Sequence, residues 1–169
     1  MSELSEVLER FRRGPELLAM ATTGAAGSEL DFAEAGKWSV RQIVCHLADT
    51  EAVWVMRFRQ VIAEENPTMP AFDQNLWATR LDYTKRKIST ALEQFRVMRT
   101  ENSELLKDLP ESDFERSGTH TRRGAMTLRE MVTLSAEHLE KHVMQIRSVR
   151  PRIASRRPPR KFRVDRFVI

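Results

Sequence analysis

Cysteine is almost missing from this chain, with Cys45 its one thiol. An internal disulfide framework is thereby excluded and a reducing compartment expected, although a single thiol can still pair between chains. No stretch approaches the ~18 consecutive apolar residues that span a bilayer, which removes a transmembrane helix. The start, Met1-Ser2-Glu3-Leu4-Ser5-Glu6, lacks the basic run and apolar stretch of a signal peptide. A cytoplasmic protein is the expectation. Internal repeats and low-complexity tracts are absent over most of the length, and no convincing stretch alternates apolar with polar residues as a half-buried strand would.

What is present is the composition of one globular domain: 169 residues, 41% hydrophobic and 31% charged. The net charge of +4 is unevenly placed. Nine Lys or Arg stand against one acid, Asp165, between Arg147 and Ile169, so residues 1–146 carry a net −4. A mildly acidic body argues against a nucleic-acid-binding domain, and the basic tail at 152–169 is the one candidate for such contact. The sequence thus divides into a folded domain, 1–150, and a tail, 151–169, whose Arg and Pro content suits neither a helix nor a core. Phe162, Phe167 and Val168 favour docking of that tail on protein.

Helical periodicity dominates, so the fold class is all-α. A first helical region covers Ser2 to Met20, with Gly14-Pro15 kinking it or starting a second piece. Thr22–Gly36 reads as a connection. A serine cap at Ser39 and a glutamine at Gln42 form a capping box for a helix that continues to Glu64. Thr68–Tyr83 is loop-like, with a short helical turn around Asp73–Thr79. A third long helix runs from Thr84 to Leu109, and a fourth starts from the capping box Thr127–Glu130 and ends before Pro151. Long connections on both sides of the third helix permit orders other than up-down-up-down.

His138 and His142 are four residues apart and share one helix face, on a stripe that includes Leu128, Met131, Ser135, Ile146 and Val149. His46 lies on an inward stripe of the second helix beside Ile43, Thr50 and Trp54. Imidazoles turned into a core need hydrogen bonds or a metal. Each alone reads as a satisfied structural histidine; three on inward faces point to metal binding.

Trp38-Ser39-Val40-Arg41-Gln42, then His46-Leu47-Ala48-Asp49, Arg57-Phe58, the run Pro70-Ala71-Phe72-Asp73-Gln74-Asn75-Leu76-Trp77-Ala78, and His138-x-x-x-His142 together resemble the DinB/YfiT-like superfamily over Leu4 to Val149. The resemblance implies a four-helix bundle in up-down-down-up order, with His46, His138 and His142 as ligands of one divalent metal. His120-Thr121-Arg122-Arg123-Gly124 resembles the H-x-x-x-G stretch ahead of the family's last helix, which would put His120 at the site mouth. The basic tail has no counterpart there. The family includes transferases that join a low-molecular-weight thiol, such as bacillithiol or mycothiol, to an electrophile, and this is the leading functional expectation. A homodimer is expected by the same analogy.

Three neutral imidazoles leave a coordination position open; zinc comes first and nickel second among the ions that suit them. The open position supports a metal-dependent hydrolase as an alternative to thiol transfer, and a non-enzymatic, stress-related metal-binding dimer as a third reading. In H-E-x-x-H peptidases an acid follows the first histidine, whereas Leu139 stands there and Glu140 is turned away, which argues against a peptidase. Asp49 is a candidate to orient a ligand histidine, and Arg57 a candidate to bind a substrate or cofactor carboxylate. Cys45 is turned ~100° from His46 and reads as packing, not as a nucleophile. Trp38, Trp54 and Trp77 read as core or pocket wall.

Overall fold

A computed structural model describes residues 2–154 of the chain. The basic tail from residue 155 onward, and with it any contact to nucleic acid, lies outside the described residues. The first helical region is two pieces, α1 (Glu3–Arg12) and α2 (Gly14–Thr22), because Pro15 starts a new helix where its missing N–H costs nothing. Gly14 is required there: a Cβ on it would lie 2.8 Å from Leu139 Cδ2 and 3.0 Å from Arg99 Nη1. After a short α3 (Ser28–Asp31), α4 (Val40–Ala63) begins on the capping box of Ser39 and Gln42. A small α5 (Gln74–Arg80) is capped by Asp73, whose carboxylate accepts from the N–H groups of Asn75 and Leu76.

The third long helix, α6 (Ile88–Lys107), starts four residues later than its sequence suggests. The residues before it are spent on turns that carry Tyr83 and Arg86 to Asp49 on α4. The last, α7 (Leu128–Ala154), opens on the expected capping pair, with Glu130 N–H donating to Thr127 Oγ1 at 3.2 Å and Thr127 N–H to Glu130 Oε2 at 2.8 Å. It passes Pro151 instead of stopping before it. A proline near a helix end removes one intrahelical bond and leaves the neighbouring bonds of the last turn.

Side-chain pairs fix the helix directions. Arg10 meets Glu140 and Arg150 meets the Ala21 carbonyl, so α1–α2 and α7 run the same way. Glu51 meets Arg99 and Arg59 meets Asn102, so α4 and α6 are parallel. His46 meets His138 near one end of α4, while Val61 and Leu128 share a cluster at the other, so α4 and α7 are antiparallel. The bundle is therefore up-down-down-up. No helix among the described residues is long and apolar enough to cross a membrane.

Two apolar clusters fill the bundle, one around Ile43, Leu47, Phe95 and Leu139, the other around Phe11, Phe58, Leu106 and Met131. Amid this core lies a buried ion pair. The Arg99 guanidinium donates to Glu51 through Nε at 2.9 Å and Nη2 at 2.6 Å, and to Ser135 Oγ and the Phe11 carbonyl. Its Cζ sits 4.0 Å from the Phe11 ring centroid. Asn102 Nδ2 adds a third donor to Glu51. This network joins α1, α4, α6 and α7, reaching α7 one turn before His138.

Periodicity alone gave no sign of strands, yet the two crossovers meet in a small sheet of β1 (Thr68–Met69), β2 (Ser117–His120) and β3 (Gly124–Thr127). β1 and β2 are parallel; β2 and β3 form an antiparallel hairpin. Strands of two to four residues are too short to write an alternating pattern. Gly118 permits the pairing, since a Cβ there would lie 2.9 Å from the Pro67 carbonyl oxygen. The sheet places His120 opposite Met69, at the edge of the helix bundle.

Candidate metal centre

His46 comes from the second turn of α4, and His138 and His142 from one face of α7. Nε2 of His138 lies 3.1 Å from Nε2 of His46 and 3.2 Å from Nε2 of His142. One ligand atom from each histidine lies within 4.8 Å of the other two. Nitrogens bound tetrahedrally at 2.0–2.1 Å from zinc stand roughly 3.3 Å apart, so the two short edges match a shared ion. Gln145 Oε1 lies 2.9 Å from His142 Nδ1 and, as an acceptor, holds the proton there, which leaves the Nε2 lone pair facing the other two rings. Thr50 Oγ1 lies 3.4 Å from His46 Nδ1, and Trp38 walls the His46 ring at a centroid distance of 4.9 Å. The residues present fit a divalent metal.

Burial pushes both His46 and His138 down from the ordinary 6.5 to about 3, helped by the neighbouring His142. Burial also lowers His142, against the hydrogen bond that it donates to Gln145 Oε1. All three rings are neutral at pH 7, the form that binds metal. A sign follows for the metal-free protein. These histidines take up protons at higher pH when unfolded, so their contribution to stability is complete above pH 6.5 and is lost as pH falls toward 3. Melting temperature of chelated protein is expected to fall from pH 7 to pH 4, with a shallower fall in His138→Gln; identical slopes would contradict this account.

Two of the triad, His46 and His138, line a cavity of about 520 Å³, walled also by Thr50, Trp54 and Arg57 of α4, Phe72 and Asp73 of the first crossover, His120, Arg122 and Arg123 of the hairpin, and Lys141 of α7. Two expected site residues, Arg57 and His120, thus share the cavity with His46 and His138. Asp49 does not line it: its carboxylate accepts from Tyr83 Oη at 2.7 Å and from Arg86 Nη1 at 2.7 and 2.8 Å. Glu140 is bound to Arg10 on α1, away from the site. Cys45 is fully buried, with its thiol pKa raised by burial. Sequence reasoning missed Gln145, although its place three residues after His142 on the same face was a visible signal, and it missed the hairpin arginines because nothing local sets the hairpin against α7.

A histidine triad whose geometry fits a metal ion, set in an up-down-down-up bundle, defines the class of protein. The sequence profile of the DinB superfamily matches residues 10–146, and the chain belongs to that family. A relative from Oceanobacillus iheyensis is 29% identical over 147 residues, covering 86% of this chain and 85% of its own, and is named a "putative metal-dependent hydrolase". One from Bacillus licheniformis with the same description is 28% identical over 153 residues, covering 89% and 87%. Among solved structures, YfiT from Bacillus subtilis superimposes with a TM-score of 0.84 at 25% identity, over 91% of this chain and 90% of its own; it is described as "a probable metal-dependent hydrolase with an unusual four-helix bundle topology".

Proposed function

We propose that this protein is a metal-dependent hydrolase of a small molecule, with His46, His138 and His142 holding one divalent ion, zinc before nickel. The observation that carries the reading is the set of three neutral imidazoles facing one another, two of which, His46 and His138, lie on the wall of an open cavity. Three protein ligands leave a position for a reactant, as catalytic sites do and closed structural sites do not. A divalent ion in such a set supplies Lewis acidity and brings the pKa of a coordinated water near neutrality. The chain's own part is to keep the ligand rings neutral by burial, to fix His142 through Gln145, and to admit a reactant through the cavity. Leu139 and the outward Glu140 leave no peptidase-type glutamate, so a small ester or amide suits the site better than a protein chain.

The names of the relatives favour hydrolysis over transfer of a low-molecular-weight thiol, which becomes the second reading. A panel of esters and amides, supplied without thiol to protein loaded with zinc or nickel, separates the two. Turnover is expected to vanish on chelation, to return with metal, and to be absent in His138→Ala. Product formation only when a thiol and an electrophile are both supplied would overturn hydrolysis in favour of transfer. No turnover in either format, with metal binding intact, would favour the non-enzymatic dimer.

A further inference from the structure

Arg57 is 7% exposed, yet no Asp or Glu among the described residues lies within ion-pair distance of it. The nearest wall carboxylate by sequence, Asp73, is engaged in capping α5. One Arg57 Nη2 donates to the Pro70 carbonyl at 2.7 Å, while Nε is buried and has no partner. Beside it, Trp54 Nε1 is likewise buried without a partner, its ring 5.2 Å from the guanidinium carbon. An unpaired buried charge and an orphaned indole N–H are both costly, and the two side chains that carry them line one cavity, with the orphaned nitrogens turned behind its surface.

His120 deepens the imbalance. Its Nδ1 lies 3.1 and 3.2 Å from the backbone N–H groups of Arg122 and Arg123, and its Nε2 lies 3.2 Å from Arg57 Nη2. Burial and the surrounding arginines lower its pKa, so the ring is neutral and has one lone pair. If Nδ1 accepts from the backbone, Nε2–H points at a guanidinium donor; in the other tautomer Nδ1–H points at two backbone donors. Either way this end of the cavity has more donors than acceptors. Arg122, Arg123 and Lys141 add positive charge around the opening, in a body whose net charge is negative.

We propose that the cavity takes a carboxylate-bearing substrate, its carboxylate seated on the Arg57 guanidinium and His120 against the Trp54 indole, and its reactive bond directed toward the three histidines. This rests on the hydrolase reading for the bond broken, though not for the anion bound. Arg57 is the one buried cation of the cavity and balances one negative charge, which a carboxylate supplies, whereas Arg122, Arg123 and Lys141 are exposed to solvent. His46, Thr50, Trp54 and Arg57 follow one another along a single face of α4, with the outer two Cα atoms roughly 16 Å apart at 1.5 Å per residue. The long Arg57 side chain leans back toward the helix N-terminus and shortens that span, so a small molecule can reach both ends. The carboxylate is thus an anchor remote from the bond that reacts, and Arg57 is a specificity determinant.

Metal-free protein tests the proposal independently of turnover. Benzoate, the isosteric neutral benzamide, and inorganic phosphate are titrated while the Arg57 Nε–H and Trp54 Nε1–H resonances are followed by nuclear magnetic resonance. Benzoate is expected to shift both saturably, benzamide neither, and Arg57→Met to weaken benzoate binding about tenfold or more, as the loss of a charged hydrogen bond does. Arg57→Lys, which keeps the charge and loses the fork, is expected to fall between, and it carries the comparison should Arg57→Met fail to fold. Equal binding of benzamide, unchanged benzoate affinity in both variants, or tighter binding of phosphate than of benzoate would each overturn the proposal. Benzoate binding without ester or amide turnover in the holoprotein would sink the hydrolase and leave this anion site standing.

Discussion

Replacing Glu51 with leucine is expected to destabilise the bundle by about 3–5 kcal/mol, the usual result of leaving one partner of a buried pair without the other. At ~2–4 °C per kcal/mol for a chain of this size, the melting temperature should fall roughly 6–20 °C. The reason is local: Arg99 and Glu51 are each 1% exposed, and the carboxylate neutralises a guanidinium that no water reaches. Asn102, Ser135 and the Phe11 carbonyl satisfy other polar atoms of the pair but carry no charge. Removing both ions in Glu51→Leu/Arg99→Leu should therefore cost much less than the sum of the single changes. A double variant as unstable as that sum would show that the two residues act separately. Because Ser135 lies one turn before His138, the Glu51→Leu protein should also bind metal more weakly, through a shift of α7 against α4.

Metal should stabilise the folded protein strongly, and only through the triad. A ligand at about 1,000 times its dissociation constant adds ~4 kcal/mol to folding when it binds the native state alone. Excess zinc is thus expected to raise the melting temperature of the chelated wild type by several degrees, and to leave that of His46→Ala unmoved. His46 is the informative position because it is the one histidine of the triad on α4: without it, His138 and His142 remain a helical pair with no histidine across the bundle. An equal rise in His46→Ala would place the stabilising ion elsewhere.

The sequence made the helices legible where their signals are local. The Ser39–Gln42 and Thr127–Glu130 boxes mark two starts, and Pro15 begins α2 as its missing N–H allows. His138 and His142 could be paired from their spacing, and His46 turned inward from its stripe; family resemblance then suggested one site, and their nitrogens do meet. What escaped was long-range. On α6 the polar residues Arg99, Asn102 and Ser103 are buried beside the apolar Ala91, Phe95 and Leu106. A charge is ordinarily assigned to solvent, and here its partner lies 48 positions away. The sheet escaped because its strands are short and its pairing joins two separate crossovers. Asp49 looked like a helper for His46 at a spacing of three, but Tyr83 and Arg86 from the first crossover claim its carboxylate. Arg57 stood out by its place in a motif; that it lacks an acidic partner could be learned only from the fold.

Metal content of the untagged protein, measured beside that of His138→Ala, tests the central claim most directly. The wild type is predicted to carry close to one divalent ion per chain and the variant almost none, with both folded by their helical spectra; equal metal in the two would contradict the three-histidine centre.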